Sequence, residues 1–229
     1  MKYFLICLIV FSFLFGQNYT ISVFGAPLVS VTLERGVEEL TFQTETTGIL
    51  NYIWPVDNTY FITYDSSNYG FRQYEKTIHQ GSESYSLKAY YDHEKKQVLY
   101  DNISLDRPPD VQTIFSMLIR VQEENIEEID TKWFLMEHDS RLFESRYLWA
   151  ETDTILINNN EMVCDLYRLD IKEVEGVTSL PEQSDYFMNN ITEREAVRQI
   201  WVEKTIPGRI IKASVKLYGL NFIAKLTYD

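Results

Sequence analysis

The stretch Tyr85-Ser86-Leu87-Lys88-Ala89-Tyr90-Tyr91-Asp92-His93-Glu94-Lys95-Lys96-Gln97-Val98-Leu99-Tyr100 holds the pattern that decides the fold. Tyr85, Leu87, Ala89 and Tyr91 fall at every second position, so as a strand they share one face and Ser86, Lys88 and Tyr90 share the other. Asp92 to Gln97 is polar throughout, and Val98 and Tyr100 then resume the alternation. Two alternating runs around a polar turn predict a β-hairpin.

The same period continues in both directions. Toward the N-terminus it runs through Tyr69-Gly70-Phe71-Arg72-Gln73-Tyr74, after a turn at Ser66-Ser67-Asn68, and through Tyr60, Ile62 and Tyr64. Leu40, Phe42, Thr44 and Thr46 precede these, and before them come Ile21 and Val23, then Val29, Val31 and Leu33. Gly25-Ala26-Pro27 separates those last two runs, as a bend in one strand or the turn of a hairpin. Toward the C-terminus the strand patterns fall on 133–137, 146–149, 154–157, 162–171, 199–204 and 210–228, the last broken near Gly219. Strands recur at short spacing with turn residues between them, and no strand–helix–strand rhythm appears. The prediction is a mainly β fold, a curled antiparallel sheet or an incomplete β-barrel.

One segment has a different period. After Arg107-Pro108-Pro109, Val111, Ile114, Phe115, Leu118 and Ile119 fall at i, i+3, i+4, i+7 and i+8, which is an amphipathic helix over 110–121 with Asp110 as its cap. The sheet is expected to wrap around this helix. On the polar side of the stripe, Gln112 and Ser116 are expected to face solvent. Residues 173–195, with Gly176, Pro181 and many polar residues, read as a surface loop or lid.

Lys2 followed by the apolar run Tyr3–Phe15 has the make-up of a secretory signal peptide, with cleavage expected after Gly16. The run is shorter than the ~20 residues a membrane-spanning helix needs. The expected division is therefore a leader at 1–16 and one β-rich exported domain at 17–229, in the periplasm or outside the cell, with no membrane span once the leader is removed. The net charge of −13 over 229 residues repels phosphate backbones and anionic lipid headgroups, so nucleic acid is excluded as a partner. Removal of the leader takes Cys7 with it and leaves Cys164 alone, so no internal disulfide can form. Met162, Cys164 and Leu166 alternate along one face, which suggests a buried, inert thiol.

Little reactive chemistry is legible. No Gly-x-Ser-x-Gly elbow or glycine-rich phosphate loop occurs, and His79, His93 and His138 are scattered. No catalytic residue, metal ligand or cofactor is assigned. The aromatics are more suggestive, because a tyrosine on a sheet offers a flat apolar face and a hydroxyl to a ligand. Candidate ligand-binding residues are Val111, Ile114, Phe115 and Leu118 on the helical stripe, with Tyr85 and Tyr91 on the hairpin. The expected function is non-enzymatic binding of a lipid or other apolar envelope ligand in the concave face of the sheet. The alternatives are an envelope assembly or scaffold protein acting on other envelope proteins, and, further off, a hydrolase.

Several segments in order resemble an exported bacterial family of unknown function, domain of unknown function 3108. They are Ser22-Val23-Phe24-Gly25-Ala26-Pro27-Leu28-Val29-Ser30-Val31-Thr32-Leu33, then Gly48-Ile49-Leu50-Asn51-Tyr52-Ile53-Trp54-Pro55 with Tyr64-Asp65. The helix 110–120 ending in Arg120, Ile200-Trp201-Val202 and Ile206-Pro207 follow. The resemblance implies a β-sheet wrapped around a helix, like that of lipoprotein-carrier proteins. It carries over no catalytic residues.

Overall fold

The alternation builds a single antiparallel sheet. The computed structural model describes residues 15–174 and 185–227. Its strands are β1 (Phe15–Val23), β2 (Ala26–Arg35), β3 (Glu39–Thr46), β4 (Asp57–Tyr64), β5 (Phe71–Gln80), β6 (Glu83–Asp92), β7 (Gln97–Tyr100) and β8 (Ser104–Asp106). The second set is β9 (Trp133–His138), β10 (Arg141–Ile157), β11 (Asn160–Glu173), β12 (Val197–Glu203), β13 (Ile210–Leu217) and β14 (Leu220–Thr227). Among the described residues four helices intervene: α1 (Leu50–Ile53), α2 (Ile114–Glu123), α3 (Ile126–Ile129) and α4 (Tyr186–Thr192). Strands pair in chain order within β1–β8 and within β9–β14, and β1 joins β14, so β8 and β9 are the two free edges. Of the expected leader, residues 1–14 lie outside the described residues, and Phe15 and Gly16 open β1 opposite Arg35 and Glu34.

Period two explains which side of the sheet is buried. In β3 the inward residues are Leu40, Phe42, Thr44 and Thr46, and in β4 they are Asn58, Tyr60, Ile62 and Tyr64. Register places Leu40 beside Ile62 and Phe42 beside Tyr60, so inward rows cross the strands as continuous apolar bands. The expected hairpin is β6–β7, with Tyr91 paired to Val98. The break at Gly25 is a hairpin turn, with φ +52° at Phe24 and +82° at Gly25. The patterns read separately at 146–149 and 154–157 belong to one strand, β10, bulged between Trp149 and Glu151.

The helix over which the sheet curls starts later than its sequence pattern suggests. Thr113, not Asp110, caps α2: its hydroxyl accepts from the Ser116 amide at 3.1 Å, and the Ser116 hydroxyl accepts from the Thr113 amide at 3.0 Å. Residues 111–112 are extended instead and bridge the two halves of the sheet. The Phe71 amide donates to the Val111 carbonyl, the Gln112 amide donates to Leu135, and the Glu137 amide donates to the Gln112 carbonyl, at 2.8–3.0 Å. Gly70 permits that approach, since a Cβ there would meet the Pro109 carbonyl oxygen at 2.2 Å. Gln112 and Ser116 are therefore buried, against expectation. An apolar stripe marks one face of a helix, but α2 lies inside the curl and has protein on nearly every side.

The edges that the ladder leaves open are joined by side chains. Arg107, next to β8, pairs with Glu137 of β9 at 2.5 Å, both buried. The Tyr100 hydroxyl donates to Glu137 at 2.7 Å and accepts from the Ser140 amide at 2.8 Å. Burial raises the Glu137 pKa and Arg107 opposes it. This polar seam ties the segment after β8 to β9 across the gap that the ladder leaves.

Candidate functional site

The register fixes which connections share an end of the curl. The β1–β2 turn, the β3–β4 connection, the β5–β6 turn, the β13–β14 turn and the stretch carrying α4 lie at one end. The β2–β3, β4–β5, β6–β7, β10–β11 and β12–β13 turns lie at the other. The C-terminal part of α2 is tied to this second end: Gly208 donates to the Gln122 carbonyl at 2.7 Å, and Arg35 pairs with Glu123. Phe115, 1 % exposed, fills the middle, with ring centroids 5.0 Å from Tyr60 and 5.2 Å from Phe42.

The first end holds a cavity of about 280 Å³ in the concave face. β1, β2 and β3 line one side with Tyr19, Ile21, Val29, Val31 and Phe42, and β12, β13 and β14 line the other with Ile200, Ala213 and Ala224. α2 contributes Ile114 and Leu118 as its floor, and α4 contributes Phe187, Asn190 and Ile191 as its wall. Leu28, Leu50, Trp54 and Phe222, which also line it, are partly exposed at that end. Nearly all of its lining is hydrocarbon or aromatic, so it offers dispersion contacts and little to hydrogen-bond.

α4 is fastened at both ends. At its start, buried Asp185 caps the helix by accepting from the Met188 amide at 3.1 Å. The same carboxylate accepts from the Tyr60 hydroxyl at 3.0 Å and pairs with Lys76 at 3.1 Å. Lys76 projects inward from β5, wholly buried, and also pairs with Asp139 from the β9–β10 turn. Burial works against its ammonium, but Asp139 and Asp185 outweigh burial and hold its pKa above the usual lysine value. At the other end of α4 the buried Arg198 guanidinium donates to the carbonyls of Ile191, Glu193 and Ala196. Phe187 then packs on Phe42 at 5.7 Å, and Tyr186 on Trp54 at 5.4 Å.

The six residues expected to bind ligand are thus divided. Ile114 and Leu118 line the cavity, whereas Val111 and Phe115 are buried in the core away from it. Tyr85 lies beneath the Lys76 ammonium, 5.3 Å from its ring centroid, and burial pushes its hydroxyl up to about 12. The Tyr91 hydroxyl donates to the Arg107 carbonyl at 3.0 Å, far from the cavity lining. The expected loop at 173–195 contains α4; residues 175–184 of it lie outside the described residues. α4 escaped sequence reading because Tyr186–Thr192 is one short helix among polar neighbours. Its visible signal was Asp185, a capping residue three positions before Met188.

Cys164 is buried, and burial, with Glu203 adding to it, pushes its thiol up to about 11. Buried His138 has its pKa lowered by burial. Among the described residues no three His, Cys, Asp or Glu side chains gather as a metal-binding group. No described helix is long and apolar enough to cross a membrane.

No family model matches the chain, and no curated protein matches it. Among solved structures it is similar to the crystal structure of a β-barrel-like protein of a domain of unknown function, DUF1849, from Brucella abortus. The TM-score is 0.63 at 9 % identity, over 93 % of this chain and 98 % of that one. The likeness supports an uncharacterised β-barrel-like domain, and nothing in it supports the specific resemblance to family 3108.

Proposed function

We propose that this chain is a non-enzymatic, exported binding protein that holds one acyl chain, or an apolar molecule of similar girth, in the cavity of its concave face. The observation that carries the reading is the cavity itself: about 280 Å³, walled by β1–β3, β12–β14, α2 and α4, and nearly without polar groups. An apolar cavity of ~150 Å³ in another protein stays dry and takes up benzene, so a larger one with the same lining favours hydrocarbon over water. Among the polar side chains of its lining, Gln80 on β5 and Asn190 on α4 suit a carboxyl or ester head. Export is the context suggested by the apolar segment behind Lys2.

A fluorescent long-chain fatty acid titrated into the purified chain tests this. Binding is expected for the native protein and lost in Ala213→Phe, whose ring would occupy the space, with the melting temperature unchanged or raised. Equal binding by Ala213→Phe, or none by the native chain, would falsify the reading.

A further inference from the structure

Three connections at the cavity end share a property that the cavity does not require. Not one Asp, Glu, Lys or Arg occurs in 22–33, 46–56 or 217–224, in a chain that is 24 % charged and carries a net −13. These stretches form the β1–β2 turn, the β3–β4 connection with α1, and the β13–β14 turn. Sheet order makes them neighbours along one rim, since β4, β3, β2, β1, β14 and β13 are consecutive. At ~4.8 Å per strand they span roughly 24 Å. The turns beyond them carry charge again, at Glu83 and Asp101.

The rim holds large apolar side chains out into solvent. Phe24 is 86 % exposed, Ile49 77 %, Tyr52 90 %, Ile53 75 % and Tyr218 77 %. Trp54, 42 % exposed, links them to the cavity, which it also lines. We infer that this rim docks the open end of the molecule onto the surface of a neutral, zwitterionic phospholipid bilayer. The inference rests on the proposed acyl-binding role and gives it a source for the ligand.

Four features select that partner. Tyrosine and tryptophan rings with polar edges suit the boundary between headgroups and acyl chains. The tips can enter that boundary without stripping water from any charge, which is the costly step for most surfaces. The net negative charge opposes anionic lipid, and it equally opposes pairing with a second copy of this acidic chain. Finally, residues of these tips, Leu28, Leu50, Trp54 and Phe222, also line the cavity, which gives an acyl chain an apolar route from bilayer to cavity.

The test places an environment-sensitive fluorophore at Tyr52→Cys on the rim or Asn159→Cys at the opposite end, each in a Cys7→Ser, Cys164→Ala background. On addition of phosphatidylcholine vesicles, the label at 52 should brighten and shift to the blue while the label at 159 stays unchanged. Adding Phe24→Asp and Tyr218→Asp to the 52-labelled protein should abolish the shift. Equal responses at both sites, no response at 52, or a response that survives the two aspartates each overturns the inference. Fatty-acid binding without vesicles is read on the same proteins. Its loss with a normal vesicle response sinks the cavity reading alone, and normal binding without a vesicle response sinks the docking inference alone.

Discussion

The two ends of the curled sheet follow the same alternation and end up differently filled. Toward the end that holds the tail of α2, inward rows carry Tyr64, Phe71 and Tyr74, and the helix adds Phe115, Met117 and Ile119. Toward the end that holds α4, the inward rows of β1, β2, β13 and β14 carry Ile21, Val29, Ala213 and Ala224, and the space among them stays open. Alternation decides which side chains point inward. Their summed volume decides whether the inside is solid. The helices match that division: α2 has ten residues and runs through the interior, whereas α4 has seven and forms only a wall.

The sharpest way to break this comparison is on α2, which touches both regions. Phe115→Ala removes a ring with no room to relax and should cost about 3–5 kcal/mol. Leu118→Ala, one turn on, already borders open space and should cost about 1 kcal/mol. Urea unfolding of both variants checks the ratio. Equal costs would mean that the cavity is closed in solution.

Nearly as large an effect is expected where α4 is fastened. Asp185→Ala leaves buried Lys76 with Asp139 as its carboxylate partner among the described residues and strips α4 of its cap, a loss of about 3–5 kcal/mol. Replacing both charges together, as Lys76→Met with Asp185→Leu, should recover most of that loss. A double variant as unstable as the single one would show that the pair is not what holds α4.

The smallest effect sharpens the comparison by pH. Burial holds the pKa of His138 below its ordinary 6.5; Asp139 and Asp185 pull it up, while Lys76 and Arg141 push it down. A histidine whose folded pKa is depressed contributes stability above 6.5 and loses it as pH falls through the folded value, because the unfolded chain then takes up the proton first. The melting temperature should fall between about pH 7.5 and about pH 5.5, above the carboxylate range. His138→Gln should flatten that slope, whatever its own stability. An unchanged slope would mean that the ring charges freely in the folded state.

How much could be read in advance follows from the range of each interaction. The hairpin around Asp92–Gln97, the β-rich class and the one apolar stripe were legible because period two and period 3.6 are local properties of the backbone. The cap at Thr113 was not legible, because Asp110 is an equally good cap locally and Gly70, forty residues away, admits the extended segment that displaces it. Tyr85 and Tyr91 were reasonable as ligand residues on a bare sheet, but the β8–β9 seam and the Lys76 cluster took them up.

What the sequence by itself determined, then, is which residues of each strand share a face, Met162, Cys164 and Leu166 among them, and that the chain carries a net charge of −13. Each follows from alternation or from summed charge, and neither needs a partner from elsewhere in the chain. Only the tertiary structure decided that β1 pairs with β14, that Lys76 meets Asp139 and Asp185, and that small side chains from β13 and β14 face a short helix across open space. Those outcomes depend on the curvature that brings residues 76 and 185 together, and a pattern of neighbours along the chain carries no record of curvature.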